Sequence, residues 1–222
     1  MTLTEMLKNL LFPPKCVLCG RILERQETDL CRTCRVEAPV LPKPAAARPF
    51  LKRWTALWLY RDTVRRSVLR YKFHGCRAYA PAYGRLLGMK LQEDLPEGWD
   101  VLTWVPVSRR RKLSRGYDQV ELLARAVGRE TGTAPVRTLK KIRHNPPQSG
   151  LEDQARRRAN VLGAYAAVNR EAFAGKRVLL LDDVITTGAT MGECARVLLT
   201  AGAGEVYGGA LAAARHETKN KQ

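Results

Sequence analysis

The chain has 222 residues, enough for one full α/β core and a small appendage, and 45% of them are apolar. No run approaches the ~18 apolar residues of a membrane span, and residues 1–12 lack a charged start followed by a long apolar stretch. Neither anchor nor signal peptide is expected, so the default location is cytoplasmic. Lys plus Arg number 39 against 21 Asp plus Glu, a formal +18 that favours polyanionic partners, nucleic acid first, with a merely solvated basic surface as the alternative.

Leu3, Met6, Leu7, Leu10 and Leu11 recur at helical spacing, and Pro13 and Pro14 stop that helix after Phe12. Cys16 and Cys19 then enclose two residues, eleven follow, and Cys31 and Cys34 enclose two more. Each pair brings two thiolates to one tetrahedral ion, and four soft ligands point to zinc. Sulfur at every position leaves no open site, so the role is structural. A redox dithiol pair and an iron–sulfur centre use paired cysteines too and stay open. Residues 20–30 are too few and too polar for a core of their own, so the metal is expected to supply folding energy. Cys76 and Cys194 stand outside the pattern. Cys194 shares helical spacing with Met191 and Leu198 and reads as core.

Residues 39–49, rich in Pro and Ala, read as a linker. The boundary falls there, giving a module over 1–45 and a larger domain over 46–222. Leu57, Trp58, Leu59 and Tyr60 suggest a strand. Val64, Val68 and Leu69 then mark a helix whose exposed face carries Arg61, Arg65, Arg66 and Arg70. It leads into Lys72-Phe73-His74-Gly75, where His74 reads as a turn or surface residue rather than an acid–base group. Residues 81–91 form a second helix. Val101, Leu102, Trp104 and Val105 form a buried strand that ends at Pro106. Beyond it Ser108 precedes Arg109, Arg110, Arg111, Lys112 and Arg115, five positive charges expected in a loop just past a strand's carboxyl end, where open α/β sheets bind ligands. Leu122, Leu123, Ala126 and Val127 make the next helix and 136–142 the next strand. Residues 144–150 are turn-rich, and 151–160 carry Arg156, Arg157 and Arg158 on an expected short helix.

Residues 178–190 read Val-Leu-Leu-Leu-Asp-Asp-Val-Ile-Thr-Thr-Gly-Ala-Thr. The aliphatic run suits a strand buried on both faces of a parallel sheet, with Asp182 and Asp183 at its carboxyl edge. Thr186, Thr187, Gly188, Ala189 and Thr190 form a small hydroxyl-rich turn that opens a helix reaching about Thr200. Unpaired amides and the helix dipole then face one point that suits a phosphate. Carboxylates alone would repel an anion, so the ligand should carry a diol as well. Ribose 5-phosphate fits. An ordinary strand–turn–helix with capping threonines is the plain alternative. Residues 206–211 supply a last strand, 219–222 a frayed tail.

The 178–190 stretch resembles the signature of type I phosphoribosyltransferases. That resemblance implies that Asp182 and Asp183 meet the ribose hydroxyls. It implies that the turn from Thr186 through Thr187, Gly188 and Ala189 to Thr190 holds the 5-phosphate of Mg2+-bound phosphoribosyl pyrophosphate. Ser108, Arg109 and Arg110 would meet the pyrophosphate, and the region around 144–160 would close over the ligand. Should the site be catalytic, Asp182, Asp183, Arg109 and Arg110 carry pentosyl transfer, with the cationic residues stabilising departing pyrophosphate. Thr2 offers no cysteine nucleophile and no glutaminase domain is expected before the sheet, so amidotransfer is the less expected reaction, with a free-ammonia route left open.

The four cysteines, Lys72-Phe73-His74-Gly75, Val105-Pro106-Val107, Arg115-Gly116-Tyr117-Asp118-Gln119, and Gln148 with Arg158-Ala159-Asn160-Val161 narrow the resemblance to the ComF family. Asp118 departs from the Asn expected there. Membership implies an α/β fold, a type I phosphoribosyltransferase-like parallel sheet behind an N-terminal zinc-ribbon module. It implies a protein that binds phosphoribosyl pyrophosphate and assists uptake of single-stranded DNA in natural transformation. A working phosphoribosyltransferase, or a zinc-module scaffold for a DNA-uptake helicase or membrane channel, are the alternatives. Membrane insertion is not expected. DNA would meet Arg109, Arg110, Arg156, Arg157 and Arg158, with Trp54, Trp58, Tyr71, Phe73 and Tyr117 available for stacking.

Overall fold

The structure, a computed structural model, describes residues 13–41, 48–143 and 160–214. The strands are β1 (Arg53–Leu59), β2 (Val101–Trp104), β3 (Leu139–Lys141), β4 (Tyr165–Ala167), β5 (Arg177–Ile185) and β6 (Glu205–Ala213). The helices are α1 (Arg32–Glu37), α2 (Asp62–Phe73), α3 (Ala80–Asp94), α4 (Arg109–Arg115), α5 (Gln119–Thr131) and α6 (Ala189–Thr200). Four strands pair in parallel in the order β1-β6-β5-β2, and β3 and β4 form a separate antiparallel pair.

β5 is covered on both faces, which explains its unbroken aliphatic run. Leu179 and Leu181 pack with Tyr207 and Leu211 against Val68, Tyr83, Leu87 and Leu123 of α2, α3 and α5. Val178 and Leu180 point the other way, onto Met191, Cys194 and Leu198 of α6 and onto Phe173. The alternation is the strand period of two, applied between two helical layers. α3 and α5 approach closely because Gly84 has no side chain. A Cβ there would collide with that of Ala126 and lie 2.6 Å from the Ala126 carbonyl carbon.

The four-cysteine stretch is not an independent appendage. Val17, Leu18, Leu23 and Leu30 are buried in the same apolar cluster as Val64, Tyr71 and Tyr83. The Ser67 hydroxyl donates to the Val17 carbonyl and lies 2.6 Å from the Tyr83 hydroxyl, while Arg70 Nη2 donates to the Leu18 carbonyl at 2.5 Å. Arg85 grips Asp29 through both nitrogens, with Nε at 2.9 Å. A segment this short cannot enclose a core, so it borrows one from α2 and α3.

Three other expectations change. The basic stretch after β2 is the helix α4 rather than a loop. Ser108 caps it, accepting from the Arg111 amide, Gly116 ends it at φ 73°, and Arg, Lys and Leu between them favour helix. The strand expected over 136–142 shortens to β3, because Pro135 lacks an amide and the chain there makes only an isolated bridge to Leu102. The start of the expected linker lies on the edge of β1, where Leu59 N donates to Pro39 O at 2.6 Å and Val40 bridges Trp58. The helix expected near the amino terminus and most of the one over 151–160 lie outside the described residues.

Candidate functional site

β2 pairs with β5 as far as Leu181, and the carboxyl end of β2 and the last residues of β5 open into a cavity of 480 Å³. Asp182, Asp183, Thr186 and Thr190 form its floor and one end, while Arg65, Lys72, Arg111, Arg115 and Lys141 supply cations around it. Each cation arrives from a different turn of chain: α2 brings Arg65 and Lys72, α4 brings Arg111 and Arg115, and β3 brings Lys141.

The acidic pair is not symmetric. Asp183 is 6% exposed and both of its oxygens are taken, Oδ1 by Lys72 Nζ at 2.8 Å and Oδ2 by Gln119 Nε2 at 2.7 Å. Asp182 is half-buried, and its Oδ1 accepts from the Asp183 amide at 2.8 Å. Burial pushes the Asp182 carboxyl up to about 8, the Asp183 charge adds to the rise, and Lys72 opposes it. Gln119 is held by the Tyr71 hydroxyl, which donates to its carbonyl at 2.6 Å, and the Tyr117 hydroxyl donates in turn to the Tyr71 carbonyl. The Gln119 side-chain Oε1 is buried with no partner among the described residues. Asp118 caps α5, accepting from the Val120 and Glu121 amides at 3.0 and 3.1 Å. An asparagine oxygen would accept the same bonds, so this departure from the family pattern leaves the cap intact.

The turn after β5 separates two cavities. Thr186 and Thr190 line the large one. Thr187, Gly188 and Ala189 line a second, of 300 Å³, together with Arg48 and Arg196. Gly188 caps α6 at φ 80°, a left-handed backbone that glycine adopts without strain. Thr187 turns its hydroxyl back to accept from the Ala189 amide at 3.3 Å.

Asp182, Asp183, Thr186 and Thr190 therefore line one cavity, and among the described side chains of α4 those on its wall are Arg111 and Arg115. Ser108 is a buried helix cap, Arg109 opens α4, and Arg110 is exposed and absent from the cavity wall. Arg111 and Arg115 are one helical turn apart on that wall. Recognising α4 as a helix would have selected them. Lys72 and Gln119 lie in segments that carry the family resemblance and Lys141 in none, but nothing in the sequence links any of them to the acidic pair; only tertiary packing does. Arg156, Arg157 and Arg158 lie outside the described residues. Of the stacking candidates, Trp54, Trp58, Tyr71 and Tyr117 are buried. Phe73 is 57% exposed, lines the cavity, and carries the Arg115 guanidinium 4.5 Å from its ring centre. His74 caps the end of α2 and is exposed.

The sulfur atoms of Cys16, Cys19, Cys31 and Cys34 all lie within 4.8 Å of one another, and those of Cys19 and Cys31 are 3.7 Å apart. A tetrahedral zinc with bonds near 2.3 Å requires sulfurs about 3.8 Å apart, so the donor set and its spacing fit that ion. Gly20 at φ 82° turns the chain after the first pair, and the Cys34 amide donates to Cys31 Sγ at 3.4 Å. Cys194 is buried in the core beside α6's other apolar residues.

Elemental analysis is expected to find about one zinc per chain, falling sharply in Cys31→Ser with loss of thermal stability. Full zinc and full stability in that variant would contradict the assignment. Asp182 yields a second test. A carboxyl whose folded pKa stands above its unfolded value adds stability at low pH and loses it as pH rises through about 8. Asp182→Asn is expected to stabilise the protein by about 1 kcal/mol or more near pH 8, and by less near pH 5. Urea unfolding at both pH values measures this, and an equal or larger gain at the lower pH would contradict it.

Two family models match the chain: a phosphoribosyl transferase domain over residues 113–222 and a double zinc ribbon domain over residues 7–48. The competence protein ComFC of Bacillus subtilis is 27% identical over 84% of this chain and 72% of its own length. The DNA utilization protein YhgH of Salmonella typhimurium is 31% identical over 86% of each. Among solved structures, the glutamine phosphoribosylpyrophosphate amidotransferase of B. subtilis, complexed with ADP and GMP, is 26% identical over 65% of this chain and 30% of its own, with a TM-score of 0.45. With a YhgH relative matched at that identity along most of both chains, and a zinc ribbon preceding a phosphoribosyltransferase-type domain, this chain belongs to the ComF family.

Proposed function

We propose that the large cavity binds Mg2+-phosphoribosyl pyrophosphate, and that the protein uses this site while handling single-stranded DNA in DNA uptake or utilization. One observation carries the ligand reading: the acidic pair at the end of β5 stands between a threonine turn and a ring of cations in one cavity. The ligand's three parts meet matching chemistry there. Its ribose diol faces Asp182, whose raised carboxyl can donate as well as accept. Its 5-phosphate meets Thr186, Thr190 and the amides of the turn that leads into α6. Its pyrophosphate faces Arg111 and Arg115, with Mg2+ entering on the phosphates and neutralising their charge. Asp182 is the protein carboxylate free to approach that ion, since Asp183 is occupied by Lys72 and Gln119.

The names of the relatives support the DNA reading, as do the formal charge of +18 and the exposed Phe73 beneath the Arg115 guanidinium. Phosphates would meet the cationic rim while a base stacks on the ring.

Calorimetry with phosphoribosyl pyrophosphate, with and without Mg2+, tests the ligand. Binding is expected with Mg2+, and Asp182→Ala with Asp183→Ala is expected to weaken it at least about tenfold, one hydrogen bond to a charged group being worth about 1.5–3 kcal/mol. Unchanged affinity would refute the site. Fluorescence anisotropy with a labelled oligonucleotide tests the DNA reading. The log–log slope of affinity against salt should be about −0.7 per phosphate engaged. Arg111→Ala with Arg115→Ala should flatten that slope, and phosphoribosyl pyrophosphate should displace the oligonucleotide. A slope unaltered by those changes would place DNA elsewhere.

A further inference from the structure

Arg48 lies far from the signature in sequence but packs directly behind its turn. Its Nη1 donates to the Thr187 carbonyl at 2.7 Å, and its Nη2 reaches the Thr186 carbonyl at 3.5 Å. The guanidinium carbon sits 4.5 Å from the centre of the Trp54 ring, which holds the head in place from β1. A Cβ at Gly188 would displace Arg48 Nη1 from its present place, so the glycine leaves room for this contact, while its left-handed backbone favours glycine independently. Glycine there thus serves both the turn and its buttress.

The consequence follows from peptide geometry. In a trans peptide the N–H points opposite to the C=O of the same unit. Pinning the Thr186 and Thr187 carbonyls on Arg48 therefore aims the Thr187 and Gly188 amides away from it. Arg48 lines the small cavity together with Thr187 and Gly188, whereas Thr186 and Thr190 open on the large one, so the amides opposite the pinned carbonyls turn from the small cavity toward the large. We infer that Arg48 is the positioning residue of the anion-binding turn: by holding two carbonyls behind the turn it presents two amides in front of it to a ribose phosphate. The inference rests on the phosphate reading of that turn. It also ties the segment that follows the four-cysteine module to the ligand site, because Arg48 stands at the start of the chain entering β1.

The test combines amide hydrogen exchange of the unliganded protein with calorimetry against ribose 5-phosphate, in the parent, Arg48→Ala and Arg48→Lys. Arg48→Ala is expected to speed exchange within residues 186–190, read at the Ala189 amide that the Thr187 hydroxyl holds in the parent, while β5 and the four-cysteine stretch keep parental rates. Affinity for ribose 5-phosphate should fall about tenfold or more. Arg48→Lys keeps the charge but cannot span both carbonyls, so it should lie between the two, and it serves if Arg48→Ala does not fold. Methylguanidinium added to Arg48→Ala should restore slow exchange, and methylammonium should not; a purely space-filling role predicts no such distinction. Parental exchange at 186–190 in folded Arg48→Ala overturns the inference. So does a loosened turn that binds ribose 5-phosphate as tightly as before. If the parent itself fails to bind ribose 5-phosphate while the turn loosens as expected, the phosphate reading fails and the positioning of the turn stands.

Discussion

Two adjacent carboxylates at the end of a buried strand repel each other, and the fold is arranged to make that placement tolerable. Lys72 answers Asp183 at 2.8 Å and Gln119 takes its other oxygen, leaving Asp182 with its carboxyl raised to about 8. Like charges this close do not both ionise freely in a site of low polarity. Lys72 sits in the last turn of α2 and Gln119 in the first turn of α5, so both helix ends must converge on the carboxyl end of β5. Their convergence is fixed by the Tyr117–Tyr71–Gln119 hydrogen-bond chain and by the close α3–α5 contact at Gly84.

The amino-terminal third of the chain reaches this site by two routes. The four-cysteine stretch is bonded to α2 through Val17 and Leu18, whose carbonyls accept from Ser67 and Arg70. α2 ends in the lysine that answers Asp183. A zinc held by the four cysteines would stabilise the loops that brace the helix carrying Lys72. Arg48 reaches the opposite side of the site from the segment after that stretch, and supports the turn between β5 and α6. A site with supports on both sides keeps its geometry without ligand, which lowers the ordering cost of binding.

The elements with strong local signals were legible in the sequence. The aliphatic run of β5, its acidic pair, the glycine-containing turn and the cysteine spacing each follow from a chemistry that needs those residues consecutively or at fixed intervals. The cationic wall was not. Five charges past a strand end read as a loop, whereas Ser108 and Gly116 bound a helix between them. That helix presents Arg111 and Arg115 to the cavity and turns Arg110 to solvent. Arg48 and Lys72 carry no motif at all in relation to the site, since each meets its partner only across more than a hundred residues of chain. The partners of the four-cysteine stretch were hidden for a related reason: Val17 and Leu18 look like loop residues in sequence, and only tertiary packing shows them in the shared core.

The central claim is that one cavity receives the diol beside Asp182 and the phosphate at the turn of residues 186–190. A crystal structure with ribose 5-phosphate bound tests it most directly. The account predicts the phosphate against the amides of Thr187 and Gly188 and the hydroxyls of Thr186 and Thr190, with a ribose hydroxyl in hydrogen-bond reach of Asp182. Ribose 5-phosphate bound in the reverse sense, or bound away from the end of β5, would contradict it.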